Sequence, residues 1–70
     1  MLGEEVMSEE TVKSMDPNIL LSLVNMKLRD FYGSLECFCT ENNIAKNLIC
    51  EKLMTIGYSY NGELNQFKCN

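Results

Sequence analysis

The 70-residue chain carries ten acidic and six basic side chains, no histidine, and a formal charge of −4. A chain of this length buries only about 60% of its unfolded surface, so it holds one small domain and no large catalytic scaffold. The missing histidine removes His triads, His metal centres and His proton relays, while an apolar share of 46% is too high for a wholly disordered chain.

The charge is unevenly placed. Glu4, Glu5, Glu9 and Glu10 face Lys13 alone in the first fifteen residues, whereas the remainder is nearly balanced. Residues 1–14 therefore read as a flexible acidic N-terminal extension, and residues 15–70 as a single helical domain. Leu2, Val6 and Met7 offer a short helix that could dock on the core, but no cap anchors it. The leader has no basic start, long apolar run or small-residue cleavage site, which argues against a secretory signal. Apolar runs such as Ile19–Leu21 and Leu48–Cys50 are only three residues long, too short for a membrane span. These features predict a cytoplasmic protein.

Asp16-Pro17 opens the first strong element. Aspartate accepts hydrogen bonds at an N-cap, and proline fits the first helical position, where its missing N–H needs no partner. Leu20, Val24, Leu28 and Phe31 then recur at helical spacing, with Ile19, Leu21 and Leu23 widening the stripe. A helix over 17–32 follows, stopped by Gly33. Its apolar band is too wide for one-sided packing, so the helix is either central to the domain or meets another subunit.

Ser34 caps a second predicted helix over 35–41, which turns Leu35 and Phe38 inward and breaks at Asn42-Asn43. A third spans 44–56, with Ala45, Ile49, Leu53 and Ile56 as its stripe. Gly57 closes it as the left-handed C′ residue, placing Tyr58 against Leu53. Beyond Gly57 the period changes to that of strands. A four-residue loop over 61–64 is preferred to a two-residue Asn-Gly loop, because it pairs Tyr58 with Phe67 and Tyr60 with Asn65. The fold class is mainly α: a compact three-helix core with a C-terminal β-hairpin, in winged-helix-like order.

No catalytic constellation stands out, and the sequence points to a non-enzyme with no cofactor and no metal. Four cysteines raise the question of disulfides or zinc. Cys37 and Cys39 point about 200° apart on a helix, and CxxC spacing is missing, so free thiols are expected. The helix–turn–helix–hairpin order offers Lys46, Asn47, Lys52 and Lys68 as candidate nucleic-acid contacts, opposed by the scarcity of cations to neutralise phosphates. In the first helix, Asn25, Lys27, Arg29 and Asp30 form a polar segment, a candidate interaction surface with Arg29 as anchor. Lys27 and Asp30 are spaced to pair.

The stretch DPNILLSLVNMKLRDFYGSLECFC, followed by LICEKLMTIGYSYNGELNQF, resembles an uncharacterised family of short bacterial proteins, domain of unknown function 4250. The resemblance covers residues 16–68 and rests on Leu20-Leu21-Ser22, Asn25, Lys27-Leu28-Arg29-Asp30, Gly57-Tyr58, Tyr60 and Asn65-Gln66-Phe67. It implies a small bacterial cytosolic protein and transfers no catalytic residue. It also implies an aspartate where this chain has Ala45, so the third helix loses its usual cap and is left with Asn43. The function expected is a protein-interaction or regulatory module, as a homodimer or small complex. The alternative is a winged-helix-like DNA- or RNA-binding protein, and no membrane association is expected.

Overall fold

The computed structural model describes residues 8–70. Four helices, α1 (Glu9–Ser14), α2 (Pro17–Asp30), α3 (Leu35–Asn42) and α4 (Lys46–Met54), precede an antiparallel hairpin of β1 (Tyr58–Asn61) and β2 (Gln66–Cys69). The mainly helical class with a terminal hairpin is as the sequence predicts. The three-helix count is not, because the second half of the expected extension is itself a helix.

Sequence reading overlooked Ser8 as the cap of α1. The Ser8 hydroxyl accepts from the Thr11 N–H at 3.3 Å. Glu9 and Glu10 lie in the first turn and Lys13 in the last, the arrangement the helix dipole favours. Val12 is fully buried in the core, so the boundary expected at residue 15 cuts through packed structure. Leu2, Val6 and Met7, named above as a docking helix, lie outside the described residues.

Asp16 caps α2 as expected, its carboxylate accepting from the Asn18 and Ile19 N–H groups at 2.9 and 3.3 Å. Leu20, Val24 and Leu28 form the buried stripe, and Leu21 and Leu23 pack against its flanks. The wide apolar band is thus mostly that of a central helix, contacting α3, α4 and β2. Only Ile19 and Phe31 project strongly from this segment into solvent. The helix ends at Asp30 with Phe31 as cap, and Gly33 does not adopt the left-handed backbone.

Ser34 caps α3 by accepting from the Cys37 N–H at 3.1 Å. Asn43 then takes the left-handed position (φ 57°) that ends α3. It cannot also substitute as the cap of α4. The N-cap position of that helix is Ala45, whose side chain can make no cap hydrogen bond. Glu9 of α1 reaches across instead, its carboxylate accepting from the Ala45 N–H at 2.7 Å.

At the far end, α4 stops at Met54, earlier than expected. Tighter i to i+3 hydrogen bonds from Thr55, Ile56 and Gly57 carry the chain onward. Gly57 is left-handed (φ 80°), though it follows this tightened turn and is not the first residue past the cap. Tyr58 is partly buried against the core cluster that contains Leu53.

The hairpin departs from both registers considered. Tyr60 pairs with Phe67 and Tyr58 with Cys69, leaving a four-residue loop over 62–65. The predicted length is right and its position is one residue late. The shift moves β2 by two residues against β1, which keeps every side chain on its intended face. Two asparagines account for it. The Asn61 side-chain oxygen accepts from the Glu63 and Leu64 N–H groups at 2.9 and 3.1 Å, folding the turn around itself. Asn65 turns left-handed (φ 54°) and reaches into the helices. The Tyr60 and Phe67 rings then meet with centroids 5.5 Å apart.

Candidate interaction face

The hairpin is held to α2 by side-chain amides, and this join shapes the surface. The Asn25 amide nitrogen donates to the Phe67 carbonyl at 3.2 Å, while its oxygen accepts from the Phe67 N–H at 2.8 Å. One turn further along, the Asn65 amide nitrogen donates to the Leu28 and Tyr32 carbonyls at 3.1 and 2.9 Å. Those carbonyls lie at the C-terminal end of α2, where helical partners run out. The Tyr60 hydroxyl donates to the Asn65 oxygen at 2.7 Å and accepts from the Leu35 N–H at 3.1 Å. Among the described residues, no buried side-chain nitrogen or oxygen lacks a partner.

The four residues expected to form one polar surface are therefore divided. Asn25 faces the hairpin and is engaged there. The Lys27 ammonium sits 5.4 Å from the centre of the Phe31 ring, a cation–π contact that the sequence reading missed. Arg29 pairs with its neighbour Asp30 through two hydrogen bonds of 3.0 and 3.2 Å, in place of the expected Lys27–Asp30 pair. Those bonds raise the Arg29 pKa and hold the Asp30 carboxyl below the usual carboxylate range. Both side chains remain exposed, so the pair contributes little to stability.

Between α2 and β2 runs an open groove whose walls include Leu21, Ser22, Met26, Arg29, Leu64 and Lys68. Among the described residues, no carboxylate lines it. Leu64 on the hairpin loop is 51% exposed and Phe31 at the end of α2 is 68% exposed. A separate, shallower hollow holds Phe31 and Asp30 and shares Leu28, Arg29 and Asn65 with the groove as lining residues.

The candidate nucleic-acid residues are also divided. Lys46 and Asn47 are exposed at the start of α4, and Lys68 is exposed on β2, in the groove just described. The Lys52 ammonium is engaged by the Lys13 carbonyl at the end of α1. At the other end of α1, Glu9 places a carboxylate on the first N–H of the α4 cap.

The four cysteines are free thiols. Burial pushes the Cys39 and Cys50 thiols above their ordinary pKa, and Cys37 and Cys69 are exposed. Among the described residues, no three or more Cys, Asp or Glu side chains are grouped to hold a metal ion. No helix in that range is long and apolar enough to cross a membrane.

A small helical domain closed by an amide-latched hairpin, with an open groove along the join, is the class that fold and surface define. The chain belongs to the family described as Domain of unknown function (DUF4250), which matches residues 14–67. That stretch holds α2, α3, α4, β1 and the first half of β2, and leaves out α1 except its last residue. No curated protein and no solved structure matches the chain.

Proposed function

We propose that this protein is a non-enzymatic protein-interaction module, functioning as a homodimer or small complex, whose contact face is the groove between α2 and the hairpin. The observation that carries this reading is Leu64, half exposed on the wall of a groove that no carboxylate lines, with exposed Phe31 in a neighbouring hollow that Asp30 also lines. Protein-contact sites concentrate aromatic, aliphatic and arginine side chains in this way, with a polar rim. Arg29 and Lys68 supply that rim, and Asn25 and Asn65 hold the walls at a fixed spacing. A bacterial cytosolic setting accompanies the proposal: the family resemblance implies the bacterial source, and exposed free thiols suit a reducing compartment.

Panning a displayed random-peptide library against the immobilised full chain tests the reading. Enriched peptides should carry apolar anchors, and their binding should fall at least tenfold on a Phe31→Glu, Leu64→Glu double variant that keeps its helical circular dichroism. Enrichment indifferent to that double variant overturns the groove as the contact face.

The second reading, nucleic-acid binding, is favoured by the order α3, turn, α4, hairpin, which is that of a winged helix. It is weakened by the engagement of Lys52 with α1 and by Glu9 at the α4 cap. Titration with duplex and single-stranded DNA at about 50 mM salt tests it, since a real interaction is salt-sensitive. No binding there disposes of it.

A further inference from the structure

The charges of this molecule are unevenly placed over its surface. The chain has ten acidic residues against six basic ones. Among the described residues, however, the charged side chains that line the groove between α2 and the hairpin are Arg29 and Lys68, both cations. A third cation, Lys27, lies over the Phe31 ring two residues before Arg29 on α2. Two carboxylates adjoin this face in sequence, Asp30 beside Arg29 and Glu63 beside Leu64, and neither lines the groove. Glu9 and Glu36 line a different hollow, at the start of α4.

Arg29 is not used up by Asp30. The pair is exposed on both sides and engages only Nε and one terminal nitrogen of the guanidinium. Such a pair contributes little, so a carboxylate arriving from outside can displace Asp30 or bind beside it.

The sheet edge decides how a ligand sits. Both backbone groups of Phe67 that face outward at the centre of β2 are taken by Asn25. A partner chain therefore cannot extend the sheet there as an added strand. It must be gripped by its side chains, apolar ones against Leu21, Met26 and Leu64 and acidic ones on the two cations. Two or three cations are too few to neutralise the dense charge of a nucleic-acid backbone, and the apolar lining would go unused.

We propose that the groove takes a short acidic segment of a partner protein, its apolar anchors between α2 and the hairpin and its carboxylates on Arg29 and Lys68. The inference rests on the groove being a protein-contact face, as proposed above, and names the chemistry of what it contacts.

The probes are panned peptides that lose binding on a Leu64→Ser variant, a change that adds no charge. Each is labelled with fluorescein and made in a second version, with Asp and Glu changed to Asn and Gln. The native chain should bind the acidic version about tenfold more tightly at low salt, and the difference should shrink at high salt. Lys68→Glu should remove most of that difference, and Asp30→Asn, which frees Arg29, should tighten the acidic version about threefold. The exposed thiols report the place. Saturating peptide should slow iodoacetamide labelling of Cys69, which lines the groove, and leave Cys37 on α3 unchanged. Groove-dependent peptides that bind equally well without their carboxylates, or that carry none, overturn this proposal and leave the contact face standing. Panning that yields no groove-dependent peptide overturns both. Displacement of the acidic peptide by an equal concentration of single-stranded DNA assigns the cations to nucleic acid and overturns the proposal too.

Discussion

Asn25 on α2 and Phe67 on β2 are joined through both backbone polar groups of Phe67, so a helix side chain stands where a third strand would lie. The outer edge of a two-stranded ribbon normally offers such groups to other chains. Here the amide closes the edge at its centre and fixes the hairpin against the core. Asn25 is therefore a structural residue in a segment that looks, by spacing alone, like an exposed polar ring.

Replacing Asn25 by alanine leaves a half-buried N–H and C=O without their partner. We expect a loss of about 1–3 kcal/mol, read from urea unfolding. Asn25→Asp should also be less stable than the wild type, since a carboxylate accepts from the Phe67 N–H but repels its carbonyl. Equal midpoints for Asn25→Ala and the wild type would contradict the latch.

Asn65 combines a left-handed backbone with three side-chain hydrogen bonds, and two variants separate these roles. Asn65→Gly keeps the backbone and loses the bonds, whereas Asn65→Ala loses the bonds and adds strain. Both should unfold at lower urea than the wild type. The alanine variant should be the weaker by about 1 kcal/mol, the cost of a left-handed Cβ.

Ala45→Ser restores to α4 the side-chain cap it lacks. Serine adds no charge beside Glu9 and can accept from the free N–H groups of the first turn, for a gain of about 1 kcal/mol by thermal or urea unfolding. An unchanged or lowered stability would mean that Glu9 already satisfies this helix end.

The thiols should divide into two classes. Iodoacetamide at neutral pH should label exposed Cys37 and Cys69 well before Cys39 and Cys50, as followed by peptide mass spectrometry. The raised pKa values of Cys39 and Cys50 carry a second consequence. Their neutral thiols favour the folded state fully below the ordinary thiol value of 9.0, where neither state ionises. Above it the unfolded chain loses protons first, so stability falls as pH rises through the folded values. A double Cys39→Ala, Cys50→Ala variant should lose stability less steeply over that alkaline range.

Features written into neighbouring residues were legible in the sequence. Asp16-Pro17 and Ser34 marked helix starts correctly, and the spacing of Leu20, Val24 and Leu28 identified the buried face. The misses are contacts between distant residues. Glu9 completing Ala45, and Asn65 selecting the register by bonding to Leu28 and Tyr32, leave no periodic trace in the chain. Ser8 was the exception: a local cap signal, followed three residues later by threonine, that the acidity around it obscured. The groove was illegible for the same reason as the register, since its two walls come from α2 and the hairpin.

The joins made by Asn25 and Asn65 also bear on the order in which the molecule folds. Both span more than half of the chain's core segment, and neither can form until α2 exists as a helix that presents its side chain and terminal carbonyls. A loop of that length is costly to close early. The hairpin therefore takes its native alignment late, templated by a finished helix. Misaligned pairings, such as Tyr58 with Phe67, have until then to be tried and discarded.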